Sequence, residues 1–145
     1  MYDELQSYLK SKNIDRNFHF AGLVPPAEVC RYLAQSDLLW HLSLHEGLPR
    51  AVVQALASGI PAIGFALDGT PEVIINGETG FTTGAEDIDA VTNYTLELFK
   101  DDEMRRTMGA NGKARVLKQF DWQLMADILE KEFIELYNTK TKVSK

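Results

Sequence analysis

The stretch that decides the fold is SLHEGLPRAVVQALASGIPAIGFALDGTPEVI, residues 43–74. It starts at the end of an apolar run, Leu38–Leu44, passes through a short loop and enters a helical pattern at Pro49. The pair Ser58-Gly59 ends that helix, and residues 61–65 read as a short buried strand. A buried strand, a covering helix and a second buried strand are typical of a parallel sheet with helices on its faces.

The flanking segments continue the same alternation. A helical pattern begins near residue 2, Phe18–Phe20 alternates like a strand, and Pro25-Pro26 opens a short helix. Downstream, the pattern predicts a last short strand and three long helices, over Gly80–Thr82, Ile88–Phe99, Glu103–Lys118 and Trp122–Tyr137. The sequence therefore predicts an α/β, Rossmann-like domain with a parallel sheet and long C-terminal helices. Because no strand precedes the first helix, we expect the domain to be incomplete at its N-terminus.

Length and charge limit the organisation of the chain. With 145 residues, the chain has the size of one domain, which we expect to span 1–137 and to be followed by a basic, disordered tail at 138–145. The net charge of −6 argues against binding to nucleic acid. Cys30 is the only cysteine, which fits a reducing, cytoplasmic protein. With one cysteine and three histidines, we expect no metal site and no cofactor.

The loop that precedes the helix at Pro49 carries the chemistry. Gly47 allows a sharp turn or a close approach of a ligand, and the first amides of the helix favour a phosphate. Glu46 is an acceptor suited to sugar hydroxyls. Arg50 and Gln54 fall on one helical stripe, so Glu46 and Gln54 are expected to border one crevice. Spacing alone is equally compatible with a helix whose Arg50 and Gln54 simply face solvent.

These motifs resemble the donor-binding half of GT-B-fold glycosyltransferases, in particular the large retaining group 1, or family 4, class. The resemblance runs in order along nearly the whole chain, through Phe20–Val24, Glu46-Gly47, Gly59-Ile60-Pro61, Gly69–Val73, Asn76–Phe81 and Phe120-Asp121-Trp122. It implies that Glu46 binds hydroxyls of the transferred hexose and is the catalytic-site residue. The residues that it implies for donor binding are Leu23, Val24, His45, Gly47, Leu48, Arg50, Gln54, Gly69 and Thr70.

Individual positions leave alternatives open. Leu23 and Val24 match a segment whose backbone contacts the nucleobase, and Gly69 and Thr70 match a loop beside the donor sugar. His45 contacts the sugar or makes a hydrogen bond within its loop. Glu72 matches an acid of the family motif, and it serves the donor or only caps a short helix.

Two positions depart from the family pattern. Gln54 stands where the family has a second glutamate that binds the ribose diol, and the loss of a charge-assisted hydrogen bond costs around 1 kcal/mol. Asp68 stands where the first glycine of a G-G pair falls, and its side chain is expected to narrow the approach to the sugar or to select a different sugar.

The cations expected for a diphosphate are scarce. The class supplies an Arg/Lys pair from a segment upstream of this chain, whereas here only Arg50, helped by His45, is near the predicted site. We therefore expect the isolated chain not to be a competent catalyst, and we expect it to need the N-terminal acceptor domain of the class.

The function implied by the resemblance is hexosyl transfer from a UDP- or GDP-sugar to a polysaccharide or lipid-linked acceptor. Peripheral association of the complete enzyme with a membrane is a further expectation. Two alternatives stay open: a non-catalytic α/β module that binds a partner protein or a nucleotide, and another GT-B enzyme such as a nucleotide-sugar epimerase.

Overall fold

A computed structural model describes residues 2–143 of the chain and the side chains of residues 2–139. The helices are α1 (Tyr2–Ser11), α2 (Val29–Leu33), α3 (Arg50–Ala57), α4 (Thr70–Val73), α5 (Ile88–Lys100), α6 (Asp102–Gln119) and α7 (Trp122–Val143). The strands are β1 (Leu39–His41), β2 (Ala62–Phe65) and β3 (Gly80–Thr83). Single 3-10 turns occupy Asp15–Asn17 and Pro26–Glu28.

The three strands form one parallel sheet in the order β1-β2-β3. Leu39 pairs with Ala62 across the first strand pair, and Ile63 pairs with Phe81 across the second. Parallel neighbours need a crossover between them, and α3 and α4 lie in the two connections. The predicted α/β, Rossmann-like fold with a parallel sheet is confirmed.

Alternation along β2 divides the apolar core between the two faces of the sheet. Ala62 joins a cluster that includes Val52 and Leu56 of α3, whereas its neighbour Ile63 joins a cluster that includes Leu98 of α5. All four residues of β2 are buried, because this strand has a neighbour on each side and helices over each face. The helix α6 contributes to both clusters, which makes it the element that joins the two layers.

The long helices begin where the sequence predicts them. The Asp87 carboxylate accepts a hydrogen bond from the Ala90 amide at 2.9 Å, and the Asp101 carboxylate accepts one from the Met104 amide at 2.8 Å. These side-chain caps fix the first turns of α5 and α6. The predicted bounds of both helices agree with the structure to within one residue at each end.

The predicted strand at Phe18–Phe20 is wrong. This segment has no regular structure, and the Phe20 ring contacts the Tyr2 ring of α1 edge-on, with their centroids 5.2 Å apart. A strand forms only beside another strand. Among the described residues, β1 is an edge of the sheet and does not pair with this segment, so the alternating pattern remains without a partner.

The apolar run at Leu38–Leu44 also forms less strand than expected. Only Leu39–His41 is a strand, and it is not covered on both faces, because Trp40 is 54% exposed. The Trp40 indole N–H donates to the Thr95 hydroxyl of α5 at 3.0 Å. An edge strand has one neighbour rather than two, so apolar side chains that would be buried in a central strand remain open here.

Three features lie outside the core. Cys30 is exposed on α2, which is only five residues long. Trp122 is 74% exposed at the start of α7. The same helix continues to Val143, past its predicted end at residue 137. Residues 144 and 145 lie outside the described part of the chain.

Between residues 2 and 143, none of the helices combines the length and the apolar character that crossing a bilayer requires.

The packing of α3 on α6 gives a test of this fold. Leu56 is fully buried, and its Cδ2 atom lies 2.6 Å from the point where a Cβ atom on Gly112 would stand. We expect Leu56→Ala to lower the free energy of unfolding by about 3 kcal/mol, because removal of the leucine side chain leaves a cavity between the two helices. Urea unfolding followed by circular dichroism measures the change.

Leu117→Ala is the matched control, because Leu117 is on α6 and is 61% exposed. We expect it to change the free energy of unfolding by less than about 0.5 kcal/mol. Equal losses in the two variants would contradict the packing described here.

Candidate functional site

The loop between β1 and α3 ends at a helix that no side chain caps. Pro49 precedes α3, and its carbonyl oxygen accepts hydrogen bonds from the amides of Val52 at 2.9 Å and Val53 at 3.1 Å. Glycine and proline account for the sharp entry, because Gly47 carries no side chain and Pro49 restricts the backbone before the first turn. The positive end of the α3 dipole therefore lies directly after Leu48.

The loop between β2 and α4 is bound to the loop that follows β1. The Asp68 carboxylate accepts a hydrogen bond from the Glu46 amide at 3.0 Å, and the Gly69 amide donates to the Glu46 carbonyl at 3.3 Å. A Cβ atom on Gly69 would overlap the carbonyl oxygen of Gly47. The sequence predicted both loops near one ligand, and the structure brings their backbones into direct contact.

Asp68 contacts the backbone of the loop that follows β1. Its backbone is left-handed, with φ of 46°, and its carboxylate is bonded to the Glu46 amide. The aspartate therefore occupies a conformation that glycine favours, which accounts physically for a glycine motif at this position. The carboxylate thus contacts the backbone of the neighbouring loop, while its effect on the approach to a sugar, or on the choice of sugar, stays a prediction.

Thr70 and Glu72 belong to α4, which follows this loop. Thr70 is 1% exposed, and its methyl group lies 3.0 Å from the position of a Cβ atom on Gly64. The side chain therefore packs against β2, and its contact with a donor stays a prediction. Glu72 does not cap α4, which has no side-chain cap; its carbonyl accepts a hydrogen bond from the Arg115 guanidinium at 2.9 Å.

A cleft of about 450 Å³ opens beside the start of α3. Its lining residues come from the loop before α3, from α3 and α4, and from the region where α6 meets α7, and they are Leu48, Arg50, Val53, Gln54, Glu72, Gln119, Phe120 and Met125. Arg50 and Gln54 share one helical face, as their spacing predicts, and both side chains are exposed on that face and line the cleft. The mixture of apolar, amide and charged side chains suits a ligand with polar and flat parts.

Gln54 also borders a second cleft. This cleft of about 240 Å³ lies between α2 and α3, and its lining includes Pro26, Val29 and Ser58. Gln54 therefore lies between the cleft beside Arg50 and the second cleft, which is lined by residues that come shortly after Leu23-Val24 in the chain. Leu23 is fully exposed and Val24 is half-buried, and neither lines either of these two clefts.

Glu46 and His45 lie at the rim of the site. Glu46 is half-buried and does not line the cleft of about 450 Å³, so the expected sharing of one crevice by Glu46 and Gln54 is not observed. The His45 side chain is 94% exposed, and its Nδ1 atom is 3.8 Å from the Asp68 carboxylate. His45 therefore faces the Asp68 loop as well as solvent.

Arg115, Gln119 and Met125 belong to the surroundings of this site, and the sequence did not indicate them. Arg115 is 43 residues from Glu72 along the chain, and its Nε atom is buried without a partner in the part of the chain that the structure describes. Of the lining residues near the junction of α6 and α7, Phe120 is the one that the sequence indicated, because it belongs to the motif at the start of the last helix. Residues this far apart meet only after α6 has packed across the sheet.

The parallel sheet, the two interlocked loops and the uncapped helix define a Rossmann-like domain with its site at the carboxyl ends of the strands. Residues 1–115 match the model of the family described as "Glycosyl transferases group 1". The chain belongs to this family.

Relatives and solved structures extend the match. The chain is 38% identical over 112 residues to an N-acetyl-alpha-D-glucosaminyl L-malate synthase from Bacillus anthracis, and the match covers 77% of this chain and 29% of that protein. The chain thus spans less than a third of that relative.

Two solved structures share the fold. The C-terminal domain of a glycosyl transferase group 1 family protein from Francisella tularensis superposes with a TM-score of 0.77 at 21% identity, covering 83% of this chain and 63% of that one. HepE from Anabaena, in complex with UDP and glucose, superposes with a TM-score of 0.81 at 23% identity, covering 90% of this chain and 36% of that one. The chain therefore has the fold of the C-terminal part of a GT-B glycosyltransferase.

The contact between the two loops gives a second test. We expect Gly69→Ala to lower the free energy of unfolding by about 2 kcal/mol, because the added methyl group meets the Gly47 carbonyl and the backbones must separate. Gly47→Ala, with nothing within 4 Å of the added carbon, is expected to stay within about 0.5 kcal/mol of the wild type. Urea titrations of both variants give the comparison, and an unaffected Gly69→Ala variant would argue against the contact.

Proposed function

We propose that this chain is the nucleotide-sugar-binding part of a retaining glycosyltransferase that transfers a hexosyl group. The observation that carries the proposal is the attachment of both backbone groups of Glu46 to residues 68 and 69, next to the uncapped start of α3. A residue whose amide and carbonyl are both bonded is held in a defined position, as a sugar-binding carboxylate needs to be. We assign Glu46 to hydroxyls of the transferred sugar.

The remaining parts of a donor have partners on the same surface. We propose that the diphosphate lies at the start of α3, where the helix dipole and the Arg50 guanidinium favour negative charge. Arg50 lines the cleft, and Gln54 is one turn further along the same face. We assign Gln54 to the ribose, with the base towards the Leu23-Val24 segment.

We propose that the chain by itself binds such a donor weakly and does not turn it over. Among the residues that line the cleft, Arg50 is the one cation, and Glu72 lines the same cleft with opposite charge. A nucleoside diphosphate sugar brings about two negative charges, and the charge on its leaving group grows during transfer. The missing positive charge and the acceptor-binding surface are proposed to come from the N-terminal acceptor domain, and no metal is assigned to the reaction.

The acceptor is the part of the proposal that depends most on the resemblance. We propose a polysaccharide or a lipid-linked glycan, with peripheral membrane association of the complete enzyme in the second case. The Bacillus anthracis relative is named for a reaction with L-malate, so transfer to L-malate is the comparison to include when acceptors are tested.

Titration of the ¹⁵N-labelled chain with UDP-glucose, UDP, GDP-mannose and GDP, followed by NMR, tests the donor site. We expect dissociation constants of about 1 mM, a range in which amide shifts report binding reliably. The shifts are expected at Gly47, Leu48 and Gln54. If 10 mM of every nucleotide left these amides unmoved, the non-catalytic interaction module would replace this proposal.

Replacing Glu46 tests its assignment to the sugar. We expect Glu46→Ala to weaken binding of the sugar nucleotide about ten-fold and to leave binding of the free nucleoside diphosphate unchanged, because a hydrogen bond to a charged group is worth about 1.5 kcal/mol. The measurement is the same NMR titration with the nucleotide sugar and the nucleotide in parallel.

Glu97→Ala is the matched control, because Glu97 is exposed on α5. It should leave both affinities as they are. Equal weakening of both ligands by Glu46→Ala would mean that Glu46 maintains the loop instead of contacting the sugar.

Gln54 offers a gain-of-affinity test. We expect Gln54→Glu to tighten binding of UDP or GDP about five-fold, because a carboxylate accepts from both ribose hydroxyls and its hydrogen bonds are charge-assisted. Gln119→Glu adds the same charge to another wall of the cleft and is the matched control. A similar effect of the two substitutions would contradict the ribose assignment, because it would reflect charge and not position.

A further inference from the structure

The backbone conformation of Asp68 does not explain why this position carries an aspartate. Its φ of 46° lies in the left-handed region, which is unfavourable for L-residues with a Cβ atom and which glycine adopts freely. A glycine would therefore meet the backbone requirement of this turn with less strain. The reason for an aspartate must therefore lie in the contacts of its carboxylate.

The main contact of the Asp68 carboxylate is the backbone of Glu46. Its Oδ2 atom accepts the Glu46 N–H at 3.0 Å, and the next residue, Gly69, donates its own amide to the Glu46 carbonyl at 3.3 Å. The second approach, from His45 Nδ1 at 3.8 Å, joins side chains that are 94% and 49% exposed, and exposed pairs of this kind contribute little. The hydrogen bond from the Glu46 amide is thus the interaction that a glycine at position 68 would lose.

We propose that Asp68 is a positioning residue for Glu46: its carboxylate fixes the Glu46 backbone and thereby the direction in which the Glu46 side chain meets the donor sugar. The proposal rests on the proposed function, since it assumes that Glu46 binds the sugar. Asp68 itself contacts no donor atom in this scheme. Compared with a glycine at the same position, Asp68 makes the turn more strained. It also adds a restraint on Glu46, the residue that is assigned to the sugar.

Three variants separate the carboxylate from the backbone. Asp68→Gly removes the acceptor and relieves the left-handed strain, whereas Asp68→Asn retains an acceptor oxygen at the same position and tolerates the same conformation. Glu86→Gly is the matched control, because Glu86 is an exposed acidic residue with φ of 59° and lies in the turn before α5. It relieves the same kind of strain away from the two loops.

Amide hydrogen exchange at Glu46 gives a readout that needs no ligand. We expect Asp68→Gly to accelerate exchange of the Glu46 amide about ten-fold, the loss of one charge-assisted hydrogen bond. Asp68→Asn is expected to remain within about three-fold of the wild type, and Glu86→Gly to leave this amide unchanged. Asp68→Gly should unfold within a few degrees of the wild type, because relief of strain offsets the lost contact. Glu86→Gly should also unfold within a few degrees, because relief of strain offsets the greater freedom of glycine in the unfolded chain.

Nucleotide titrations give the second readout. We expect Asp68→Gly to weaken UDP-glucose about five-fold while UDP binds as in the wild type, with Asp68→Asn restoring most of the difference. GDP-mannose and GDP serve as the second pair of probes. A purely structural role would lower stability or weaken both ligands of a pair equally.

The outcomes distinguish this proposal from the proposed function. Unchanged exchange at Glu46 in Asp68→Gly overturns the positioning role whether or not a donor binds. Faster exchange with an unchanged ratio of UDP-glucose to UDP affinity also overturns it, because the restraint then has no effect on the sugar. If the wild-type chain binds no nucleotide at all, the donor-site assignment fails for this chain, while the exchange data still decide whether Asp68 fixes Glu46.

Discussion

The backbone contact between the loop after β1 and the loop after β2 is the constraint on which the site depends. Gly69 lies so close to the Gly47 carbonyl that no side chain fits between them, and both backbone groups of Glu46 are bonded to residues 68 and 69. Two loops at neighbouring strand ends are mobile by default, because loops have few buried contacts. Here each loop restrains the other, which gives Glu46 a defined position without a supporting helix or strand.

The same constraint relates the site to the core of the domain. The loop after β2 leads directly into α4, whose residues Thr70 and Val73 are buried. Arg115 of α6 donates a hydrogen bond to the carbonyl of Glu72 in the same helix α4. The position of Glu46 is therefore determined by elements that follow it in the chain by more than twenty residues. This arrangement is typical of parallel α/β domains, whose ligand sites lie where the carboxyl ends of several strands meet.

Charge explains why the domain is expected to depend on a further part of the protein. The cleft beside α3 carries Arg50 and Glu72 at its walls, so its lining has no net positive charge. A diphosphate leaving group needs positive charge close to its oxygens, which the helix dipole supplies only in part. The chain spans less than a third of its Bacillus anthracis relative.

Local patterns in the sequence determined the parallel sheet, the bounds of α5 and α6, the shared face of Arg50 and Gln54, and the family. These features depend on period, caps and turn residues, which act within a few positions of one another. Only the tertiary structure decided that Phe18–Phe20 has no partner strand within residues 2–143, that Thr70 is buried, and that Glu46 lies outside the cleft lined by Gln54. It also decided the partner of the Asp68 carboxylate, because the Glu46 amide is 22 residues away, and a contact at that separation depends on how two loops meet and not on either loop alone.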